Sequence, residues 1–456
     1  MVPWRADLRR MLALAWPVLV GQLSMIAYGT IDTLLVARHS AADLAALAVG
    51  GAAYVTTFIG LMGAVMAVAP ISGQLFGAGR LRAAGEELHQ GVWLALMLAV
   101  PGCLLLLWPW PFLALARLAP EVEPKARAYL AVLALSLPAA LLFSAWRAFN
   151  TAVSRPRIVM ALQLVGLAIK VPLSWWLIRG TPDTGWAGWG VVGGAVATAV
   201  AMWVQLGAAV WLTRRDAFYA RFGLHERGLQ RPDRVRLRAL WALGLPMGGA
   251  VLIEVSGFTM MAVFVARLGT TPVAGHQIAV NLVSILFMVP MALAQAMSTL
   301  VAQRVGAGDV AGAERLGWRG LQSGVAVAGV LGGTVYLLRE HVVGLYTRDA
   351  AVAAVALSLL AWMVVFHLAD AVQILAAFAL RAWKIATGPM VIYALSLWGV
   401  GLGGGYLLAF DVLGVTPPGL GGARGYWAAS TVGVVLAAAG LTLFLRAVLR
   451  EKRADA

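Results

Sequence analysis

Apolar runs of about 20 residues, set apart by short polar or glycine-rich breaks, recur from one end of the chain to the other. Each is long enough for an α-helix to cross about 30 Å of hydrocarbon at a rise of about 1.5 Å per residue. The pattern predicts twelve spans, near 11–35, 44–69, 89–110, 128–149, 158–178, 187–212, 240–266, 273–299, 317–338, 350–376, 386–410 and 426–447. The expected fold class is an all-α polytopic membrane protein, since the bilayer core gives exposed backbone groups no partners. The opening "MVPWRADLRRMLALAWPVLVG" has the basic-then-apolar order of a signal peptide. It lacks a clear small-residue cleavage site and recurs inside the chain, so it reads as a retained first span.

Composition agrees. Of 456 residues, 61% are hydrophobic and only 12% charged, against about 25% charged in soluble domains. The formal net charge of +15 raises the question of nucleic acid, and the placement of the charges answers it. Most Lys and Arg lie in the tails and in the loops on the same side as the tails, which puts both termini in the cytoplasm and leaves no nucleic-acid partner to invoke. The densest cluster, "TRRDAFYARFGLHERGLQRPDRVRLRALW" at 213–241, is either a topology determinant or an amphipathic segment along anionic headgroups. The single cysteine, Cys103, sits in an apolar run and supports neither a disulfide nor a metal site.

The chain repeats itself. At an offset of 229 residues Pro17 falls on Pro246, "VAR" at 36–38 on 265–267, Ala45 on Ala274, Gln74 on Gln303, and "GAG" at 77–79 on 306–308. Further on the offset becomes 233, with Pro156 on Pro389 and Ser154 on Thr387. Two six-helix bundles follow, related by a pseudo-two-fold axis along the membrane normal, an arrangement of secondary transporters. The expected division is an N-lobe over 1–212, a basic cytoplasmic linker over 213–239 and a C-lobe over 240–456.

Of the 20 acidic residues, Asp32, Glu254 and Asp370 fall well inside predicted spans. Ionisable groups there cost roughly 2.5–3.5 kcal/mol each and usually face a cavity and carry function. Ser24, Tyr28 and Asp32 are spaced by four and share a helix face. Glu254 lies near the midplane on a face with Met247, Phe258 and Met261. That surface suits lipophilic cations, since methionine repacks and aromatic rings attract positive charge, although such a stripe also serves plain packing. Asp370 clusters with Met363, Phe366, His367 and Gln373. His367 either relays a proton to Asp370, holds its carboxylate, or is a packing histidine. Gln277, Asn281, Ser284 and Met288 form a polar stripe at helical spacing on span 8, for cavity lining or for bonding a neighbouring helix.

One basic residue is out of place. In "GLAIKVPLSWW" Lys170 lies inside span 5, at a depth similar to Asp32. It either snorkels to the interface or pairs with Asp32, the desolvation cost being matched by attraction at low dielectric.

"LAWPVLVGQLSMIAYGTIDTLLVARHSAADLAALAVG", "VAGHQIAVNLVSILFMVPMALAQAMSTLVAQRVGAGD" and the parallel repeat resemble the multidrug and toxic compound extrusion (MATE) family, NorM-type branch, over nearly the whole chain. The resemblance implies an antiporter exporting organic cations and lipophilic drugs by alternating access, with Asp32 in N-lobe cation coupling and Glu254 and Asp370 handling cation and substrate in the C-lobe. Two places depart from the family pattern. Phe366 replaces a usual tyrosine, and span 5 reads "KVPLS", with Lys170 and Ser174 where amides usually support the bound ion; Thr198 on span 6 is retained. An ammonium in the place of a bound Na⁺ favours H⁺ coupling. The candidate site residues are thus Asp32, Lys170, Ser174, Thr198 and Tyr28 in the N-lobe. In the C-lobe they are Glu254, Asp370, His367, Phe366, Gln277, Asn281, Phe258 and Met261.

No cofactor is expected beyond H⁺ or Na⁺ as coupling ion. The expected partners are small organic cations, drugs and the lipid bilayer of the bacterial inner membrane, with the chain acting as a monomer. The alternative is a lipid-linked oligosaccharide flippase of the same superfamily, but such proteins favour basic cavities for pyrophosphate. A major facilitator would carry a Gly-Asp-Arg motif where this chain has "GQLFGAGRLRAAGEE". An intramembrane enzyme would need a His/Glu metal pair at helical spacing, which the spans lack, or a Ser–His or Ser–Lys constellation, and none here is convincing enough to support one.

Overall fold

A computed structural model describes residues 4–116, 118–181, 185–226 and 228–454. Met1–Pro3 and Asp455–Ala456, counted above with the two lobes, lie outside the described residues, as does Arg227 of the basic linker. Among the described residues twelve helices are long and apolar enough to cross a membrane. They are α1 (Trp4–Ala37), α2 (Ala41–Gly77), α3 (Leu81–Leu107), α4 (Glu123–Ala152), α5 (Pro156–Arg179), α6 (Val191–Arg215), α7 (Arg234–Ala266), α8 (Thr270–Gly306), α9 (Val310–Leu337), α10 (Met363–Ala382), α11 (Thr387–Ala409) and α12 (Gly422–Ala454). The chain is a multi-pass membrane protein.

The helices outrun the apolar windows. α1 has 34 residues and α8 has 37, about 50 Å and more at the α-helical rise, well beyond the hydrocarbon thickness. Two spans are interrupted. α2 breaks at Met66–Ala67, because Pro70 cannot donate to the carbonyl of Met66 and its ring crowds that oxygen. The span expected at 350–376 is two helices, Ala350–Leu360 and α10, so that α10 begins at Met363 and runs to Ala382. Nothing in the sequence explains the turn at Ala361–Trp362. In α11 the glycine-rich stretch Ala394–Gly404 is π-helical.

The chain divides into two compact units. One is Trp16–Gly248; the other is Gly249–Ala456 together with the start of α1 up to Ala15. These boundaries differ from the lobes expected at 212 and 240, and packing supplies the reason. The first turns of α1 belong to the second unit: Met11 is buried in a core with Ala250, Met297 and Ile374. Asp7, 2% exposed, accepts from Arg304 Nη2 at 3.0 Å and from Arg319 Nη1 at 2.7 Å. The first turns of α7 belong to the first unit. A side chain on Gly248 would stand 2.7 Å from the carbonyl oxygen of Gly60 on α2, so only glycine permits this approach. Gln90 Oε1 on α3 accepts from the backbone N–H of Asp233 at 2.8 Å, and its Nε2 donates to the carbonyl of Arg231 at 3.1 Å. Gln90 and Arg319 are separated by the same 229 residues as the repeat. The two repeats therefore clip the entry of a long helix at equivalent positions with different chemistry.

The basic linker folds onto the first unit rather than lying free as an amphipathic helix. Its short 3₁₀ turn Ala217–Phe222 buries Tyr219 and Phe222, and Tyr219 donates to Asn150 Oδ1 at 2.6 Å. Arg155 pairs with Asp216 at 2.6 Å and covers the Phe218 ring. The backbone N–H of Phe218, then Arg155, hold the Asp216 carboxyl below the usual carboxylate range.

Asp7→Ala leaves two arginines without their shared carboxylate. It is expected to cost on the order of 2–3 kcal/mol, read as a lowered Tm of the purified protein in detergent. Asp7→Asn, which keeps the shape and loses the charge, should fall between.

Candidate functional site

In the first unit, three helices place polar side chains at one point. α1 presents Ser24, Tyr28 and Asp32 at four-residue spacing, α5 presents Lys170 and Ser174 one turn apart, and α6 presents Thr198. Lys170 Nζ donates to both Asp32 oxygens, at 2.7 and 2.8 Å, to Thr198 Oγ1 at 2.8 Å and to Ser174 Oγ at 3.3 Å. Ser174 donates in turn to Asp32 Oδ1 at 3.2 Å, and Thr198 donates to the carbonyl of Gly194 at 3.0 Å. Lys170 and Ser174 are fully buried and Asp32 is 4% exposed. The snorkelling alternative therefore fails: the ammonium is inside, within a shell of four oxygen atoms. Gly194 packs close to the shell: a Cβ there would stand 3.3 Å from Asp32 Oδ1, a tight contact. The Tyr28 ring centroid is 5.3 Å from Lys170 Nζ, and its hydroxyl accepts from Gln205 Nε2 at 2.9 Å. Gln205 lies seven residues after Thr198 on the same face of α6; that spacing was its signal, and the sequence reading missed it.

In the second unit, α7 and α10 bring two carboxylates to one amide. Gln373 Nε2 donates to Asp370 Oδ1 at 2.7 Å and reaches Glu254 Oε1 at 3.5 Å. Phe366 meets Phe258 edge-on at 6.0 Å and lies 5.7 Å from the Trp427 ring. Met261 Sδ receives Ser430 at 3.5 Å. Soft apolar groups thus flank the acids.

His367 does not hold Asp370. Both its nitrogens are buried without a hydrogen-bond partner among the described residues. The ring turns instead towards Gly332 on α9, where a Cβ would come within 3.2 Å of His367 Cδ2. Gln373, three residues on the other side of Asp370, takes the carboxylate. The stripe on α8 does not join the acids either. Gln277, Asn281 and Ser284 are exposed, and Asn281 Oδ1 accepts from Tyr346 at 2.8 Å.

Two further arginines lie on helices beside these centres. Arg381 is 8% exposed on α10 and stacks on Phe378 at 4.4 Å. Arg147 is half-buried on α4. Arg147 falls just inside the end of its predicted span and Arg381 just beyond the end of its own.

The Asp32–Lys170 pair is a buried ion pair whose partners depend on one another. Lys170→Met or Asp32→Asn alone should destabilise the protein by about 3–5 kcal/mol, leaving one charge buried and unpaired. The double variant should recover most of that loss. A thermal-unfolding double-mutant cycle measures the coupling, and additive losses would contradict a pair.

The sequence matches the MatE family over residues 17–176 and 246–407, two segments that begin at Pro17 and Pro246, one repeat apart. It is 39% identical to a probable multidrug resistance protein NorM of Aromatoleum aromaticum, covering 96% of this chain and 93% of the relative. It is 33% identical to the multidrug resistance protein PmpM of Pseudomonas aeruginosa, covering 99% and 95%. The fold is similar to that of the eukaryotic MATE transporter AtDTX14, with a TM-score of 0.85 at 18% identity over 99% of each chain. It is likewise similar to the Vibrio cholerae MATE transporter VcmN in its bent form, with a TM-score of 0.83 at 17% identity over 98% of each chain. Both halves of the family pattern, full-length relatives and a twelve-helix fold agree: this chain belongs to the MatE family of membrane transporters and is not an enzyme.

Proposed function

We propose that this chain is an H⁺-coupled antiporter that exports organic cations and lipophilic drugs by alternating access. In this reading it acts as a monomer in the bacterial inner membrane, with both termini in the cytoplasm. The observation that carries the choice of ion is the fully buried Lys170 ammonium in its shell of Asp32, Ser174 and Thr198 oxygens. A tethered cation already fills the coordination that a Na⁺ would need, so Na⁺ enters only by expelling it. A proton needs no such space. On reaching Asp32 it removes the negative charge and leaves Lys170 buried without a counter-ion, a state costing several kcal/mol in a low-dielectric interior. Relief of that cost by a second helix arrangement turns a local charge change into a conformational bias.

The second unit supplies the substrate chemistry. Glu254 and Asp370, bridged by Gln373, offer negative charge to a cation. Phe258, Phe366 and Met261 give it a polarisable apolar surround. Two acids at this point repel a pyrophosphate, which disfavours the flippase alternative.

In proteoliposomes, an imposed proton gradient should drive uptake of a fluorescent organic cation, and an imposed Na⁺ gradient alone should not. Transport driven only by Na⁺ would contradict the ion assignment. Glu254→Gln and Asp370→Asn should each lower efflux by about tenfold or more, the equivalent of about 1.4 kcal/mol of lost interaction. Lys170→Ala should flatten the pH dependence of transport; an unchanged pH profile would remove Lys170 from the coupling step.

A further inference from the structure

Within the first unit, one helix-borne arginine lacks an acid to pair with among the described residues. Asp32 and Lys170 cancel; Arg147 has no such partner. It lies on α4, five residues before the helix ends at Ala152. Its Nε is buried with no hydrogen-bond partner among the described residues. Its terminal nitrogens meet methionine sulfurs: Nη1 is 3.5 Å from Met25 Sδ, and Nη2 is 3.1 Å from Met62 Sδ and 3.8 Å from Met66 Sδ. Among the described residues no carboxylate stands within ion-pair distance of it. Thioethers are weak acceptors, so the guanidinium keeps its full charge and most of its donor capacity.

The repeat makes the missing charge specific. At the offset of 229 residues, Met25 falls on Glu254. Where the second repeat carries a half-buried carboxylate, the first carries a thioether, and that thioether touches Arg147. Negative charge is absent from the protein at the place where the positive charge lies.

A small cavity adjoins this arginine, with about 20 Å³ of room for the centre of a water-sized occupant, somewhat more than the roughly 10–15 Å³ that one buried water needs. Its polar lining, besides Arg147, is Ser24, Ser144, Tyr28, Gln163 and Gln205, with no acidic residue. The two serine hydroxyls donate to the carbonyls of Val20 and Ala140. Tyr28 accepts from Gln205 and keeps its own O–H for a further acceptor, and the Gln163 amide forms no hydrogen bond among the described residues. The unspent groups are therefore a guanidinium, a phenol O–H and amide N–H donors, the set an anion requires. A single fixed charge matches a single negative charge; a divalent anion would leave a net charge in the membrane interior. The other walls include Met25, Phe58 and Phe143, which favour a weakly hydrated ion over a strongly hydrated one.

We propose that the cavity beside Arg147 is a binding site for one small monovalent inorganic anion of the halide class, which supplies the counter-charge that Met25 does not. The site is separate from the Asp32–Lys170 shell and does not depend on the direction or ion of transport.

The test uses the full chain, purified in detergent at constant Na⁺ and ionic strength, with chloride, bromide, sulfate or gluconate as the anion. Chloride and bromide should raise Tm saturably, on the order of 2 °C, while sulfate and gluconate leave it unchanged. Arg147→Gln should abolish the difference, and Arg147→Lys, which keeps the charge, should retain part of it. No halide-specific rise overturns the proposal, as does a rise that survives Arg147→Gln, which would assign the effect to surface charges. Should Arg147→Gln fail to fold, radiolabelled chloride binding to the wild-type chain decides. Saturable binding of one anion per chain, displaced by bromide and not by gluconate, upholds the site; no saturable binding refutes it.

Discussion

The buried pair between Asp32 and Lys170 is the constraint around which the first unit is organised. Neither charge is tolerable alone where no water compensates it. The pair is matched by its neighbours: Ser174 one turn from Lys170, Thr198 across from it, and Gly194 close against the carboxylate. Tyr28 and Gln205 extend the polar contacts one turn further along α1 and α6. A site built this way is preorganised for one cation, and that cation is already covalently attached.

The two repeats show how one scaffold carries different chemistry in each half. The register is the same: the prolines at 17 and 246 align, and so do the polar residues, Gln90 and Arg319, that clip the entries of α7 and α1. The charges do not follow the register. Asp32 falls on Met261, and Glu254 falls on Met25. Each repeat has a thioether where the other has an acid. The substitution is sterically mild, since both side chains are unbranched at Cβ, but electrostatically it moves a full unit of charge. It places one acid of the first unit next to a lysine, and leaves the two acids of the second to share an amide.

Much of this was legible in the sequence, for reasons that differ by feature. The spans were visible because their apolar length is a strict requirement of the bilayer. The acids and Lys170 stood out because their depth made them costly. What escaped lay at the ends of apolar windows or depended on side-chain direction. Arg147 and Arg381 drew no notice because hydropathy marks where the apolar run fades, while the helices continue to Ala152 and Ala382. His367 and Gln373 both stand three residues from Asp370, so spacing alone could not choose between them; the open space at Gly332 draws the histidine away. The entries of α1 and α7 could not be assigned to a unit from sequence, because a continuous helix gives no sign of where its packing partners change.

Around their polar centres the two units place different charged side chains: Asp32, Lys170 and Arg147 in the first, and Glu254, Asp370 and Arg381 in the second. Unpaired charge in a membrane-buried bundle is costly, and a mobile ion or a change of protonation offsets it. Under the proposed function, the offset in the second unit is a proton or an organic cation at Glu254 and Asp370, both of them transferable. Lys170 is tethered, and in the proposed cycle Asp32 responds to a proton without exchanging one metal cation for another. The arginine beyond it is permanently charged, and the anion proposed to answer it would stay put while Asp32 titrates. Fixed charges thus sort the chemistry: what is tethered sets the field, and what is mobile carries the cycle.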